Sequence, residues 1–551
     1  MPEPRPGGPE LLFLALGGAG EIGMNLNLYG YDDQWLMLDL GITFGDETAP
    51  GVDVIMPDPA FIVERRDKLL GVVLTHAHED HLGAVAHLWP QLRCPIFATP
   101  FAASVLRRKL TDANLINTAL ITEVPLGGKI KLGPFDIELI TMTHSIPEPN
   151  AVAIRTPLGT ILHTGDWKID PEPLLGEVTD EAALRKLGDD GVLAMVCDST
   201  NVFVPGEAGS EAEVRKALAE LIGQCKQRVA VTCFASNLAR VESVAHAADA
   251  NGRHPVLVGR ALNRMVEAAR ENGYLGGMPR TIDEKEAAWL PPDKVLMICT
   301  GSQGENGAAM HRLAYDEHPT LHLERGDTVI FSSRIIPGNE KSIGRLHNRL
   351  VALGVEVLTE RDAFVHVSGH PARDELTRLY QWVRPKVAIP VHGELRHLNE
   401  HAQLARAVQV PEAIVAPNGT LVRLAPGNAE IIDHIPTGRL GLDGNRLIRL
   451  DSDSLRPRKQ MIFNGAVTVT LVADASGKLL ATPRLSVHGF PEGDDLAEIE
   501  ADAAAAVAKT FEGERLRDDN SAAMLASQAV RRVFKARTGK RPVMDVQIVR
   551  I

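Results

Sequence analysis

The sequence predicts an α/β protein of several domains, with a small parallel-sheet domain inserted into a larger one. Three observations carry that expectation. The chain has 551 residues, enough for about three or four folding units with cores of their own. Between residues 211 and 332 apolar strand patterns alternate with helical ones, the signature of a parallel sheet. On either side of that region, apolar strands each run out into a histidine or an aspartate.

Composition narrows the class. Hydrophobic residues make up 44% and charged residues 23%, ordinary for a soluble globular protein. No apolar run approaches the roughly 20 residues of a spanning helix; Leu11 to Leu16 is the longest. The start, Met-Pro-Glu-Pro-Arg-Pro, lacks the parts of a secretory signal, so a cytoplasmic location and no membrane partner are expected. The cysteines Cys94, Cys197, Cys225, Cys233 and Cys299 are scattered and form no C-x-x-C pair. They read as buried structural thiols, not as a disulfide framework or a zinc site. A net charge of −13 does not advertise a nucleic-acid partner, since such affinity comes from Lys and Arg on phosphates. It is silent about a basic groove within an acidic body.

Taken in order, the first motif misleads. Gly18-Ala19-Gly20-Glu21-Ile22-Gly23 fits G-x-G-x-x-G, but a dinucleotide site needs a helix to open there. Asn25 to Tyr31 alternates with period two and Trp35 to Asp39 follows as another strand, so the glycines read as a strand-to-strand turn. Next, the apolar strand Val72-Val73-Leu74 runs into Thr75-His76-Ala77-His78-Glu79-Asp80-His81. Two imidazoles at i, i+2 share a face in extended chain and can hold one metal. Asp80 and His81 point elsewhere, towards a second. Glu79 is read equally as a solvated acid or as an outer partner of the metal shell.

Two later strands end alike, at His144 and at Asp166. One carboxylate can bridge two cations, which two-metal hydrolases hold about 3.5–4 Å apart. After Asp166 a long region intervenes: helix 211–224, strand 228–234, helix 238–248, then strands 255–258, 294–300 and 327–332. Only then does Pro390-Val391-His392-Gly393-Glu394 supply the last candidate histidine.

H-x-H-x-D-H, a lone His and then an Asp resembles the metallo-β-lactamase superfamily, and the inserted region resembles its β-CASP nucleases. Asp198, His370 and His392 match that group's three signature positions. Gly17 to Gly23, Asp198-Ser199-Thr200-Asn201, Phe234-Ala235-Ser236-Asn237, Thr300 to Glu305 and Ile336 to Glu340 look like the ribonuclease J family. Ala77 and Asn306-Gly307 depart from its pattern, away from any proposed ligand. The resemblance implies an αββα sandwich, with residues 1–207 and 365–448 forming the metallo-β-lactamase domain and 208–364 the β-CASP domain. A linker at 449–463 and an α+β C-terminal domain at 464–551 complete it.

By the same resemblance, His76, His78 and His144 hold one divalent metal ion. Asp80, His81 and His392 hold another, and Asp166 bridges the two. Zinc suits these ligands, with manganese or magnesium as alternatives. Asp80, Asp198 and His370 are assigned to catalysis, with His370 giving a proton to the leaving 3′ oxygen and Asp198 orienting it. His366, Ser368, Gly369 and His370 form a phosphate cradle. Ser236 and Ser302 are read as RNA or 5′-phosphate contacts, with a tight βα connection as the equal alternative for their glycine-rich turns. The implied activity is 5′-to-3′ exonuclease action on 5′-monophosphate RNA plus endonuclease cleavage, in RNA processing and mRNA decay. The implied partners are single-stranded RNA, further copies in a homodimer or homotetramer, and an RNA-degradation complex. A small-molecule hydrolase gives the long insertion no purpose, and a scaffold would not keep all seven ligands.

In the C-terminal part, residues 437–463 read as a linker, followed by strands 466–471 and 479–485, helices 494–511 and 521–537, and a last strand 543–551. Met524, Leu525, Ala529, Val533 and Phe534 are expected to face the core. Arg531, Arg532, Lys535, Arg537, Lys540 and Arg541 form a basic cluster, read as a solvated face or as an RNA contact.

Overall fold

A computed structural model describes residues 8–45, 48–453, 455–490, 493–513, 515–516 and 518–551. Its contacts divide the chain into two compact units, Met1–Thr43 with Ile55–Gly438 and Phe44–Val54 with Arg439–Ile551.

The first unit is built on two large sheets. One has eight strands, in the order Glu430–His434, Thr420–Ala425, Leu11–Gly17, Leu26–Tyr31, Gln34–Leu38, Leu69–Val73, Ile96–Ala98 and Ile121–Glu123. The other has seven, from Lys129–Leu132 through Phe135–Thr141, Asn150–Thr156, Gly159–His163, Ala194–Asp198 and Val387–Val391 to Glu412–Ala413. Their facing sides share one core that includes Phe13, Tyr29, Leu36, Val73, Ile137, Val152, Ile161, Val196 and Ile389. The outer face of the second sheet buries Met195 and Ala388 against helices Glu181–Asp190, Arg373–Val383 and Leu395–Ala407, through Leu187, Leu379, Trp382 and Leu404. This is the αββα sandwich the motifs imply.

Between Asp198 and His392 a five-stranded sheet is inserted, in the order His254–Val258, Val295–Cys299, Val229–Thr232, Thr328–Phe331 and Glu356–Leu358. Every pairing in it is parallel. Helices Glu211–Gln224 and Leu238–Ala250 match their expected positions closely because Ser210 and Asn237 cap them, each side chain accepting a backbone N–H of the first turn.

In the second unit the strand Ala466–Ala473 pairs with Arg484–His488 and Val543–Arg550. Helices Asp494–Thr510 and Asp519–Thr538 cover it. The structure differs from expectation in three places. The segment read as a linker holds a hairpin, Arg439–Asp443 with Arg446–Arg449, and a helix, Leu455–Asn464. Gly444-Asn445 (φ 58° at the glycine), between the paired Asp443 and Arg446, is a two-residue turn signal with glycine in first place, and it outweighs the glycine content. The strand expected at 479–485 lies at Arg484–His488, past Pro483, which has no N–H to pair. The helix 519–538 buries Ala522, Ala526, Ala529, Val530 and Phe534, whereas Met524 (57% exposed) and Leu525 (39%) face outward. Small alanines let it approach Ala503 and Val507 of its neighbour. Within the basic cluster, Arg537 pairs with Glu498 and Asp502.

Among the described residues no helix is long and apolar enough to cross a membrane. All five cysteines are free thiols, four buried and Cys225 half-buried.

Candidate metal centre

The chemistry-bearing residues follow the ends of six strands that stop along one edge of the sandwich. Gln34–Leu38 leads to Asp39, Leu69–Val73 to the Thr75–His81 loop and Phe135–Thr141 to His144. Gly159–His163 leads to Asp166, Ala194–Asp198 ends on Asp198, and Val387–Val391 leads to His392. Parallel pairing brings His163, Val196 and Ile389 into register, so Asp166, Asp198 and His392 emerge side by side.

Three overlapping groups of donors converge on Asp166, and two of them hold the seven expected ligands. His78 Nδ1 lies 3.0 Å from both His76 Nε2 and His144 Nε2, and these nitrogens are 3.9 Å from Asp166 Oδ2 in each case. Asp166 Oδ2 is also 3.1 Å from His81 Nε2 and 3.5 Å from His392 Nε2, and Asp80 Oδ2 is 3.6 Å from each of those imidazoles. One carboxylate oxygen thus borders both groups, {His76, His78, His144, Asp166} and {Asp80, His81, Asp166, His392}. Asp166 Oδ1 is buried with no hydrogen-bond partner. A stranded carboxylate oxygen beside clustered imidazole nitrogens is what a cation-binding site requires and a dry protein interior penalises. The donor set fits a divalent metal.

For the first donor group, electrostatics agree with that fit. Burial, reinforced by the neighbouring imidazoles, pushes His76 and His144 well below the usual histidine range, and burial brings His78 down to about 4. All three are therefore neutral donors near pH 7, as metal ligation needs. Burial opposes charge on His81 too, but Asp166, Asp80 and Asp39 outweigh it and hold its pKa well above the usual value. For His370 burial is outweighed by Asp198 and Asp166, which raise it to about 9. Asp166 is held well below the carboxylate range: burial works against this, and His392, His81 and His370 overcome it.

Outer partners orient the donors, and most of them escaped the sequence reading. His81 Nδ1–H donates to Asp39 Oδ2 (2.7 Å), and Asp39 also accepts from the Thr75 hydroxyl (2.9 Å) and backbone N–H (2.8 Å). Thr75 Oγ1 in turn meets His76 Nδ1 at 2.9 Å. Asn25 Oδ1 accepts from His392 Nδ1 at 3.0 Å. The Gly18 carbonyl accepts the His392 N–H at 2.6 Å, and Ala19-Gly20 pair in parallel with Gly393-Glu394. The first glycine motif is therefore a turn that seats the last histidine. Asp39 had a legible signal, an acid ending an apolar strand as Asp166 and Asp198 do. Asn25 had none, because its role depends on a contact with a residue near the far end of the sandwich.

The remaining candidates separate. His370 Nδ1–H donates to Asp198 Oδ2 at 2.8 Å and lies 3.8 Å from Asp166. The segment 366–370 borders the first donor group: Gly369 O accepts from His144 Nδ1 at 2.5 Å, and a Cβ on Gly369 would sit 2.7 Å from that ring. Burial, with Arg240 adding to it, holds His366 well below the usual range. Ser236 is half-buried just ahead of the capped helix. Ser302 is buried, and its hydroxyl has no hydrogen-bond partner. The neighbouring Gln303 spends its side chain on loop 334–339. Glu79 pairs with Lys109 at 2.6 Å, as a surface acid does.

Family models match the chain at residues 48–184 (Beta-lactamase superfamily domain), 226–350 (Ribonuclease J, beta-CASP domain), 354–415 (Zn-dependent metallo-hydrolase RNA specificity domain) and 453–551 (Ribonuclease J C-terminal domain). The chain is 45% identical over 551 residues to Ribonuclease J of Sinorhizobium meliloti, covering 98% of each. It is 40% identical to Ribonuclease J of Corynebacterium glutamicum (89% of this chain, 69% of that one) and 38% to that of Thermus thermophilus (85% and 83%). A solved Enterococcus faecalis protein of unknown function shares the fold, with a TM-score of 0.51 at 16% identity over 75% of this chain and 100% of that one.

Proposed function

The chain belongs to the ribonuclease J family, and on that premise we propose that it is a metal-dependent ribonuclease of the cytoplasm. It degrades single-stranded RNA 5′-to-3′ from 5′-monophosphate ends and also cuts internally, in RNA processing and mRNA decay. The observation that carries the reading is the single Asp166 oxygen bordering two separate donor groups, the arrangement a two-metal phosphodiesterase needs.

His76, His78, His144 and Asp166 would hold one divalent ion, and Asp80, His81, Asp166 and His392 the other, zinc being favoured by the imidazole and carboxylate donors. Bound there, the ions supply a nucleophile from water at neutral pH and offset charge on the phosphate oxygens. The chain's own residues do the rest. Asp198 accepts the Nδ1 proton of His370, which fixes the ring and leaves Nε2 to protonate the leaving 3′ oxygen. His366, Ser368 and Gly369 cradle the phosphate, and Ser236 contacts the RNA from the inserted domain. The products are a 5′-phosphate and a 3′-hydroxyl. The C-terminal domain joins copies into a homodimer or homotetramer.

The deciding assay compares a 5′-monophosphorylated single-stranded RNA with its 5′-triphosphate form, a DNA copy, and the His78→Ala protein. Mononucleotide release from the monophosphate RNA, lost in His78→Ala and after chelation and regained with zinc or manganese, is the expected result. Equal cleavage of DNA overturns the RNA assignment, and no metal-dependent cleavage at all overturns the catalytic one.

A further inference from the structure

The segment 365–370, which carries His366, Ser368 and His370, is held at both ends by one short stretch of the inserted domain. That stretch, Ser332 to Arg334, follows the strand Thr328–Phe331. At the first end, Ser332 Oγ donates to Val365 O at 2.6 Å, and the fully buried Arg240 donates to Val365 O at 3.0 Å while its guanidinium is held by Glu211.

At the second end the hold is indirect. Asn201 sits in the loop after Asp198, in the sandwich, and is buried. Its Nδ2 donates to Ser368 Oγ at 2.7 Å and to His370 O at 3.0 Å, so both amide protons are used on the cradle. Its Oδ1 accepts from an Arg334 guanidinium nitrogen at 3.2 Å. The backbone of Arg334 is anchored in turn: its carbonyl accepts from Gln303 Nε2 at 2.9 Å, and the same amide's oxygen takes Ile336 N–H at 2.9 Å, while its half-exposed guanidinium lies 3.8 Å from Glu360. An amide cannot rotate without reversing donors and acceptor. Arg334 therefore favours the orientation in which Asn201 presents its N–H groups to the cradle.

We infer that Asn201 and Arg334 are positioning residues that make alignment of Ser368 and His370 depend on the inserted domain being seated against the sandwich. With Arg334 withdrawn, the Asn201 oxygen loses its partner, the amide is held by its two N–H bonds alone, and the cradle loosens. This deepens the reading of Ser368 and His370 given above and rests on it.

The test uses Asn201→Asp, which still accepts from Arg334 but cannot donate to the His370 carbonyl, with Arg334→Met and Arg334→Lys. On 5′-monophosphorylated RNA, kcat falls on the order of ten- to a hundred-fold in Asn201→Asp and Arg334→Met, with KM within about two-fold of wild type and metal content unchanged. Arg334→Lys recovers part of the loss, and the double variant is no worse than Asn201→Asp alone. Independently of activity, amide hydrogen exchange in a peptide spanning residues 365–372 speeds up in both variants. A raised KM with unaltered kcat in Arg334→Met, or multiplicative losses in the double variant, overturns the relay and makes Arg334 a plain RNA contact. Unaltered exchange in Asn201→Asp overturns it whatever the activity. His370→Ala, run alongside, separates the two ideas: full activity there removes the role of His370, whereas the exchange result still decides the relay.

Discussion

Asp39→Asn is the substitution that tests the metal centre most directly without touching a proposed ligand. Asp39 is fully buried and has φ +62°, a conformation that asparagine tolerates as readily as aspartate. The backbone is therefore spared. The side chain is not. Three donors converge on the carboxylate: His81 Nδ1–H at 2.7 Å, the Thr75 hydroxyl at 2.9 Å and the Thr75 backbone N–H at 2.8 Å. An amide offers one acceptor and one donor group, so either orientation sets NH2 against a donor. If it faces the Thr75 N–H, a buried hydrogen bond is lost. If it faces His81, the ring accepts at Nδ1 and carries its proton on Nε2, the atom 3.1 Å from Asp166 that must ligate unprotonated. Thr75 Oγ1 also orders His76 Nδ1, so one imidazole in each donor group is disturbed. Loss of such an outer partner costs about 10–100-fold in metal affinity, which is about 1.4–2.7 kcal/mol. The assay is zinc titration of chelator-stripped protein against a competing indicator, with metal-free thermal unfolding as the control. Wild-type zinc affinity in a folded Asp39→Asn protein would refute the assignment of Asp39 as the orienting group.

Gly18→Ala places a Cβ 2.2 Å from Asn25 Oδ1 at φ +85°, which displaces the acceptor of His392 Nδ1. Metal content measured by elemental analysis should fall, with a stability loss of about 1–3 kcal/mol; an unchanged metal count would separate the glycine turn from the centre. Arg240→Met strands Glu211 in the interior, since the guanidinium makes three contacts to that carboxylate. Unfolding in denaturant should show a loss of about 3–5 kcal/mol, and Arg240→Met/Glu211→Leu should recover much of it. Burial holds His401, bonded to Ser199 and Tyr380, at about 4 against an ordinary 6.5. The unfolded chain takes up this proton first, so the stability from a neutral His401 is complete above pH 6.5 and is lost as pH falls from 6.5 towards 4. The slope is about 1.4 kcal/mol per pH unit. Melting temperatures from pH 7 to 5 should fall less steeply in His401→Phe, and equal slopes would contradict the assignment.

The sequence was most legible where local chemistry and local structure coincide. His76, His78, Asp80 and His81 crowd a loop after an apolar strand, and the capped helices 211–224 and 238–250 lie close to their expected limits. It was less legible where packing chooses among equivalent patterns. The helix 519–538 offers leucine and methionine as well as alanine, and the close approach of its neighbour selects the alanine face.

By itself the sequence determined which donors exist and which strands deliver them, because strand periodicity and the side-chain chemistry of His and Asp are local properties. Only the tertiary structure decided how those donors are oriented. Asn25 and His392, Asp39 and His81, and Asn201 and Arg334 are distant in sequence, and each pair depends on strand register or domain seating to bring two polar groups within hydrogen-bond reach. That reach is about 3 Å, far finer than any spacing pattern along the chain can specify.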